Sequence, residues 1–433
     1  MNQSTNQHGE GRNHMSERDA IIYIPGLFHE PGESVNTVGR NIAAALDGTS
    51  PPEYKFTLSP GKDEHYGYAE RATRTVTITR ELDAQETPLI DIYELSYGHT
   101  LTDGYEKKKP VIQALLILVS LLWNMPRLVI AIRMRSKGFS QKLQVAYAGL
   151  ITLLLGAYMV LLLFTVLATL GDTTITQVTG NEGKTDIEQS TGLGGATEEV
   201  KETPWWLYYS QVAIIGLTGL GLLTKKDAKQ FLSRFSTWYM GVVAYLNQGR
   251  SRDNVAGQLT SLLEYVAQKG NEVTYRRMHI IGYSFGSVVA LDAMFPYNAP
   301  SARYRLVDTL VTIGCPFDFI RTYWPSYFEQ RVALEGVPQR WLNVYRTADV
   351  LGSDFLDETK AGSEERGVGL VEGSPKRPES ILLGQGGGLD KLEALRLIGF
   401  KEHSCYWFED PYARDAFDLV VERIYADAVR SFS

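Results

Sequence analysis

Cysteine is nearly absent from this chain. Cys315 and Cys405 are the only two among 433 residues, too few for a disulfide framework and a poor basis for a thiolate metal site. They are compatible with a reducing compartment. The chain also lacks CxxC, HExxH and Walker-type phosphate-loop patterns, so neither the zinc-protease helix nor the phosphate cradle of nucleotide hydrolases is written into it. An excess of positive charge is missing as well. A formal net charge of −7 gives no electrostatic reason to expect nucleic acid as a partner. Finally, residues 1–18 are polar and rich in Asn, Gln, Ser and Gly, without the apolar core of a signal peptide. They read as a disordered tail.

Beyond the tail the sequence is patterned. Ile21 to Ile24 is a short apolar run stopped by Pro25-Gly26, a buried strand entering a sharp turn. Glu33 to Leu46 suits a helix with Val38, Ile42, Ala45 and Leu46 on one face. Tyr54–Leu58, Thr73–Ile78 and the run inside Pro88–Tyr97 read as strands. In the C-terminal half, Asp227–Leu246 and Asn254–Lys269 read as helices, and Met278–Ile281, Leu306–Ile313 and Trp341–Tyr345 as strands. Ala361–Gly388 reads as a long loop, Leu395–Phe400 as a last strand and Pro411–Val429 as a closing helix. Strands alternating with helices predict an α/β fold with a mostly parallel sheet and helices on both faces.

Residues 100–226 have a different character and are read as a membrane insertion between two halves of the globular part, 19–99 and 227–433. Val145–Leu170 and Trp205–Thr224 contain no charged residue and are long enough for a hydrocarbon core of roughly 30 Å. Trp205, Trp206, Tyr208 and Tyr209 open the second as an aromatic belt would. Val111–Ile132 is interrupted by Asn124, Pro126 and Arg127 and flanked by basic residues, which suits a segment lying in the interface. The acidic loop 171–203 joins the two spans, whose other ends carry Lys142, Lys225 and Lys226. The expectation is a multi-pass membrane protein with its catalytic part on the cytoplasmic side.

The chemistry centres on Gly282-Tyr283-Ser284-Phe285-Gly286. An apolar run, Met278-His279-Ile280-Ile281, precedes it, and a small-residue helix start, Ser287-Val288-Val289-Ala290-Leu291, succeeds it. Strand, tight turn and helix are what a nucleophile elbow needs, with glycines permitting the close approach of helix to strand. On these residues the chain resembles the α/β-hydrolase family, over roughly 19–98 and 227–433. The resemblance implies Ser284 as nucleophile, with an acid and then a histidine after it in chain order. His403 is the one histidine after Ser284. Asp349, after the Trp341–Tyr345 strand, is the preferred acid, with Asp354 and Asp357 as neighbours that compete for the role. Ile24-Pro25-Gly26-Leu27-Phe28 resembles the family's oxyanion loop, with Pro25 in place of the usual His, and assigns the oxyanion donors to the backbone N–H groups of Leu27 and Phe285. Of the other histidines, His279 reads as core and His29 as a residue that could line the pocket.

The expected activity is hydrolysis of carboxylic esters, a serine esterase or lipase working through an acyl-enzyme on Ser284 with no metal or organic cofactor. The insertion leaves the domain at the end of a strand, where catalytic loops also cluster, so the expected partners are a lipid bilayer and a lipid or acylated substrate. An acyl-protein thioesterase would use the same residues. A catalytically inactive membrane scaffold with a hydrolase-like fold is the alternative of another class.

Overall fold

The computed structural model describes residues 18–27, 32–67, 71–134, 142, 144–160, 226–247, 249–269, 273, 275–347, 349–357, 364–383, 403–407 and 415–430. In chain order the elements begin with β1 (Arg18–Ile24), α1 (Glu33–Thr49), β2 (Lys55–Leu58), β3 (Lys62–Tyr66), β4 (Arg71–Leu82) and β5 (Gln85–Glu94). Four helices come after them: α2 (Gly98–Glu106), α3 (Pro110–Met134), α4 (Gln144–Val160) and α5 (Lys226–Asn247). Next are α6 (Gly249–Gln268), β6 (Tyr275–Tyr283), α7 (Phe285–Met294), β7 (Val307–Ile313), α8 (Phe317–Tyr323) and β8 (Arg340–Tyr345). The small hairpin β9 (Leu356–Asp357) and β10 (Glu364–Glu365), β11 (Glu379–Leu382) and α9 (Ala416–Arg430) complete the series.

The fold is α/β around a mixed, mostly parallel nine-stranded sheet in the order β11-β8-β7-β6-β1-β5-β4-β2, with β3 on β4. The six strands from β11 to β5 are parallel, and β4 turns the edge antiparallel. The central strands are buried on both faces, which is why β1 and β6 read as continuous apolar runs. On one face Ile21, Tyr23, Ile281 and Val311 join a core with α1 and α9. The alternate residues Ile22, Ile280 and Leu310 are buried too, and α7 packs on β6, β7 and β1. Register brings the carboxyl ends together: Ile24 lies opposite Gly282, Tyr283 opposite Ile313, and Ile313 opposite Val344. The loops leaving β1, β6 and β8 therefore converge on one edge of the sheet, which is where side chains from distant parts of the sequence can meet.

By compactness the chain divides into two units. One comprises Met1–Leu101, Arg127–Tyr147 and Tyr245–Ser433 and holds the sheet; the other comprises Thr102–Pro126 and Ala148–Ala244. Most of α5 thus belongs with the second unit, where Tyr239 receives a hydrogen bond from Ser120 and one from Asn124 on α3.

The multi-pass topology needs correction. Among the described residues one helix is long and apolar enough to cross a membrane, Pro110–Ala131 within α3, a test that a core helix also passes. That is the segment assigned to the interface from its sequence. Ala114, Ile117, Ser120, Asn124, Leu128 and Ala131 are buried on one side of it, while Val111, Leu115, Val119, Leu122, Trp123 and Ile130 are exposed on the other. Of the expected span 145–170, residues 161–170 lie outside the described residues; the described part belongs to the apolar helix α4, where Ala148 and Leu155 are fully buried. The expected span 205–224 and acidic loop 171–203 lie outside the described residues. A multi-pass arrangement with a cytoplasmic catalytic side is therefore not supported.

One smaller difference concerns the C-terminal half. Part of the expected loop 361–388 contains β11, a strand parallel to β8. It is four residues long and half exposed at the sheet edge, so it lacks the apolar alternation that marks a strand. The expected last strand 395–400 lies outside the described residues.

Candidate active site

β6 ends at Tyr283, and Ser284 occupies the turn before α7 with φ 53° and ψ −126°. A non-glycine residue held there costs on the order of 1–3 kcal/mol and persists only when its surroundings enforce it. They do. The Ser284 N–H donates to the Ile313 carbonyl at 2.8 Å, and Ser287 Oγ donates to the Gly282 carbonyl at 2.7 Å. The two flanking glycines let helix and strand approach. A Cβ on Gly282 would lie 2.7 Å from the Gly286 carbonyl oxygen, and one on Gly286 would lie 2.1 Å from the Ile24 carbonyl oxygen. Ser284 precedes the first turn of α7, yet its side chain makes no capping hydrogen bond. Its hydroxyl is turned to another partner.

That partner is His403, whose Nε2 stands 2.7 Å from Ser284 Oγ. His403 Nδ1 is 2.8 Å from Asp349 Oδ2. The buried carboxylate can only accept, so Nδ1 carries the proton and Nε2 is left with its lone pair facing the serine. The three side chains thus form a continuous hydrogen-bonded chain from residues 119 and 54 positions apart in sequence. The loop after β8 delivers Asp349. Its second oxygen, Oδ1, accepts from the Leu351 N–H at 2.8 Å, which locks the side chain in place. Of the competing carboxylates, Asp354 accepts from the Leu356 N–H at 2.9 Å in its own turn, and Asp357 lies in the β9–β10 hairpin opposite Glu364.

The turn after β1 lies against the elbow. A Cβ on Gly26 would come 3.1 Å from Ser284 Cβ, so Leu27 directly follows a residue packed on the nucleophile. Leu27 and Phe285, the assigned oxyanion donors, are both buried. Tyr97 steadies the turn by donating to the Pro25 carbonyl at 2.9 Å. Phe28 and His29 lie outside the described residues. Further along, Glu94 at the end of β5 holds the start of α1. It accepts from Gly32 N–H at 2.8 Å, Ser34 Oγ at 2.8 Å and Val35 N–H at 3.1 Å. Burial pushes its carboxyl above the usual range, against the pull of those donors.

Two tyrosines complete the surroundings, and neither is singled out by the sequence. Tyr283 lays its ring over the His403 imidazole, with centroids 5.6 Å apart and planes 20° from parallel, and donates to the His403 carbonyl. Tyr406 donates to Asp349 Oδ2 at 2.8 Å. Tyrosine three residues beyond the candidate histidine is the only available signal, and without the fold it reads as one aromatic among many. His279 is fully buried in β6, as expected of a core residue, with Asp19 and Asp308 each 3.8 Å from its ring nitrogens. Among the described residues no three His, Cys, Asp or Glu side chains gather as a metal site.

A serine with a histidine base, a buried carboxylate behind it and backbone amides beside it can attack a carbonyl carbon and stabilise the resulting oxyanion. Comparison with protein-family models, with curated proteins and with solved structures found no match to this chain.

Proposed function

We propose that this chain is a serine hydrolase of the α/β-hydrolase type that cleaves carboxylic esters of lipids. The observation that carries the reading is the unbroken Ser284–His403–Asp349 chain of hydrogen bonds, with Ser284 held at positive φ on the carboxyl edge of a parallel sheet. In the first half-reaction Ser284 Oγ bonds to the acyl carbon while its proton passes to His403 Nε2. The imidazolium then protonates the departing alkoxide. In the second half-reaction water adds to the acyl-enzyme, giving its proton to His403, and the acid is released as Oγ recovers that proton. Asp349 orients the imidazole and stabilises the imidazolium throughout. The amides of Leu27 and Phe285 are the donors for the tetrahedral oxyanion, a contribution of roughly 3 kcal/mol each in enzymes of this kind.

The lipid character of the substrate is supported by α3. Its exposed side carries Leu115, Leu122 and Trp123, and Lys107, Lys108 and Lys109 precede it. An apolar helix side with a basic approach suits the surface of an anionic bilayer.

The test is labelling of the purified full chain with a fluorophosphonate probe, then turnover of p-nitrophenyl esters and lysolipids. Labelling that is lost in Ser284→Ala, in a protein that stays folded, supports the reading. A Ser284→Ala variant that labels like the parent overturns it, and turnover of acyl thioesters without esters would move the substrate to acylated proteins.

A further inference from the structure

We propose that Tyr406 is a positioning residue that holds the Asp349 carboxylate aimed at His403, and so tunes His403 as the base. This inference rests on the reading of the chain as a serine hydrolase. Three observations carry it.

The first is the hydrogen bonding. Tyr406 donates to Oδ2 of Asp349 at 2.8 Å, the same oxygen that accepts from His403. The Arg346 N–H donates to the Tyr406 oxygen at 3.2 Å. With that amide on its oxygen, the phenol directs its own proton to the carboxylate.

The second is the space cleared for it. Tyr406 is fully buried. Gly314, at φ +57°, would bring a Cβ within 2.8 Å of the Tyr406 ring, and Gly352 would bring one within 3.0 Å of the phenolic oxygen and 2.5 Å of Asp349 Oδ2. Two glycines on two different loops leave room for the phenol and carboxylate to meet.

The third is rigidity. The Tyr406 carbonyl accepts from Ala416 N–H at the start of α9, and its ring stands edge-on to Tyr283 with centroids 6.1 Å apart. Backbone and ring are thus each held by a contact of their own. Burial, reinforced by the charge of Asp349, keeps the phenol protonated by raising its ionisation well above the tyrosine range, so it remains a donor throughout the working pH range.

Two donors share one carboxylate oxygen, and each disperses part of its charge. Without the phenol, Asp349 becomes more basic, the imidazolium of His403 is stabilised further, and the base loses its proton at a higher pH. The carboxylate also gains freedom to rotate away from the ring.

Tyr406→Phe keeps the ring against Gly314 and removes only the hydroxyl. The acid limb of kcat/KM for a p-nitrophenyl ester should then rise by about half a unit to one unit. kcat at neutral pH should fall about tenfold, with KM little changed, as for loss of a hydrogen bond to a charged group. In an Asp349→Asn background the same change should add almost nothing, because its route of action is already broken. Incorporation of 3-fluorotyrosine at 406, a stronger donor of nearly the same shape, should move the limb in the opposite direction, and it serves if the Phe variant does not fold. An active Phe variant with an unmoved acid limb, or full additivity with Asp349→Asn, would overturn the role and reduce Tyr406 to packing. If the unaltered chain neither labels with fluorophosphonate nor hydrolyses esters, the hydrolase reading itself fails, a result distinct from an unmoved limb in an active enzyme.

Discussion

Asp349→Asn is the perturbation whose outcome the geometry determines most fully. Three donors converge on the two carboxylate oxygens: Leu351 N–H on Oδ1, and His403 Nδ1 and Tyr406 Oη on Oδ2, each at 2.8 Å. A carboxylate satisfies all three because it only accepts. An amide of the same shape cannot. If its NH₂ faces the imidazole, two donors oppose it, and the ring responds by moving its proton to Nε2. Nε2 then faces Ser284 as a donor and cannot take the serine proton. If the amide flips, its oxygen serves His403 and Tyr406 but its NH₂ meets the Leu351 N–H. Either orientation leaves a buried donor unpaired, at about 1–3 kcal/mol of stability. The first also removes the base, for which the known loss in a serine protease triad is ~10⁴ in kcat, or about 5.5 kcal/mol of barrier. The assay is single-turnover acylation by a p-nitrophenyl ester across pH, with urea denaturation of the same preparation. Asp354→Asn, whose carboxylate sits in its own turn, should stay within about tenfold of the parent. Retention of acylation within about tenfold by Asp349→Asn, or collapse in Asp354→Asn alone, would refute the assignment of the acid.

Other outcomes rest on other parts of the molecule. Gly286→Ala places a methyl group 2.1 Å from the Ile24 carbonyl oxygen, and should cost at least ~1–3 kcal/mol in urea denaturation while separating the elbow from the oxyanion turn; a fully stable, active variant would contradict this close packing. Leu115→Glu with Leu122→Glu on the exposed side of α3 should lower turnover of anionic vesicle lipid at least ~10-fold, since burying each leucine contributes ~1.5–3 kcal/mol, and leave hydrolysis of a soluble short-chain ester unchanged; an unchanged ratio of the two activities would leave α3 without a role in substrate choice. Asp19 is buried, which opposes its ionisation, but His279, Arg276 and Arg277 outweigh this and hold its carboxyl below the ordinary 3.8. A depressed folded-state value means stability present above the unfolded value and lost as pH falls through and below it. Asp19→Asn should therefore narrow its deficit relative to the parent as pH is lowered below about 4, read by denaturation at several pH values; a deficit that grows on acidification would reverse the assignment.

The elbow was legible in the sequence because its constraints are local. A buried strand, a turn too tight for a side chain at either flank and a helix start occupy consecutive residues, so Gly282, Ser284 and Gly286 announce the geometry that Ile24 and Ile313 then enforce. The alternation of strands and helices likewise revealed an α/β sheet, since burial on both faces writes itself as unbroken apolar runs. His403 emerged because one histidine lies beyond Ser284. Contacts between distant segments are different. Asp349 and Asp354 both come shortly after the same strand, and nothing local distinguishes them; the turn bonded through Leu351 and the arrival of His403 do. Tyr406 became meaningful only when Gly314, the residues after β8 and the segment 403–407 were brought side by side. β11 was hidden because an exposed edge strand needs no apolar alternation. The multi-pass reading needed correction for the converse reason: apolarity along a segment does not say what covers it, and only packing in three dimensions shows where protein does, as around Ala148 and Leu155 in α4.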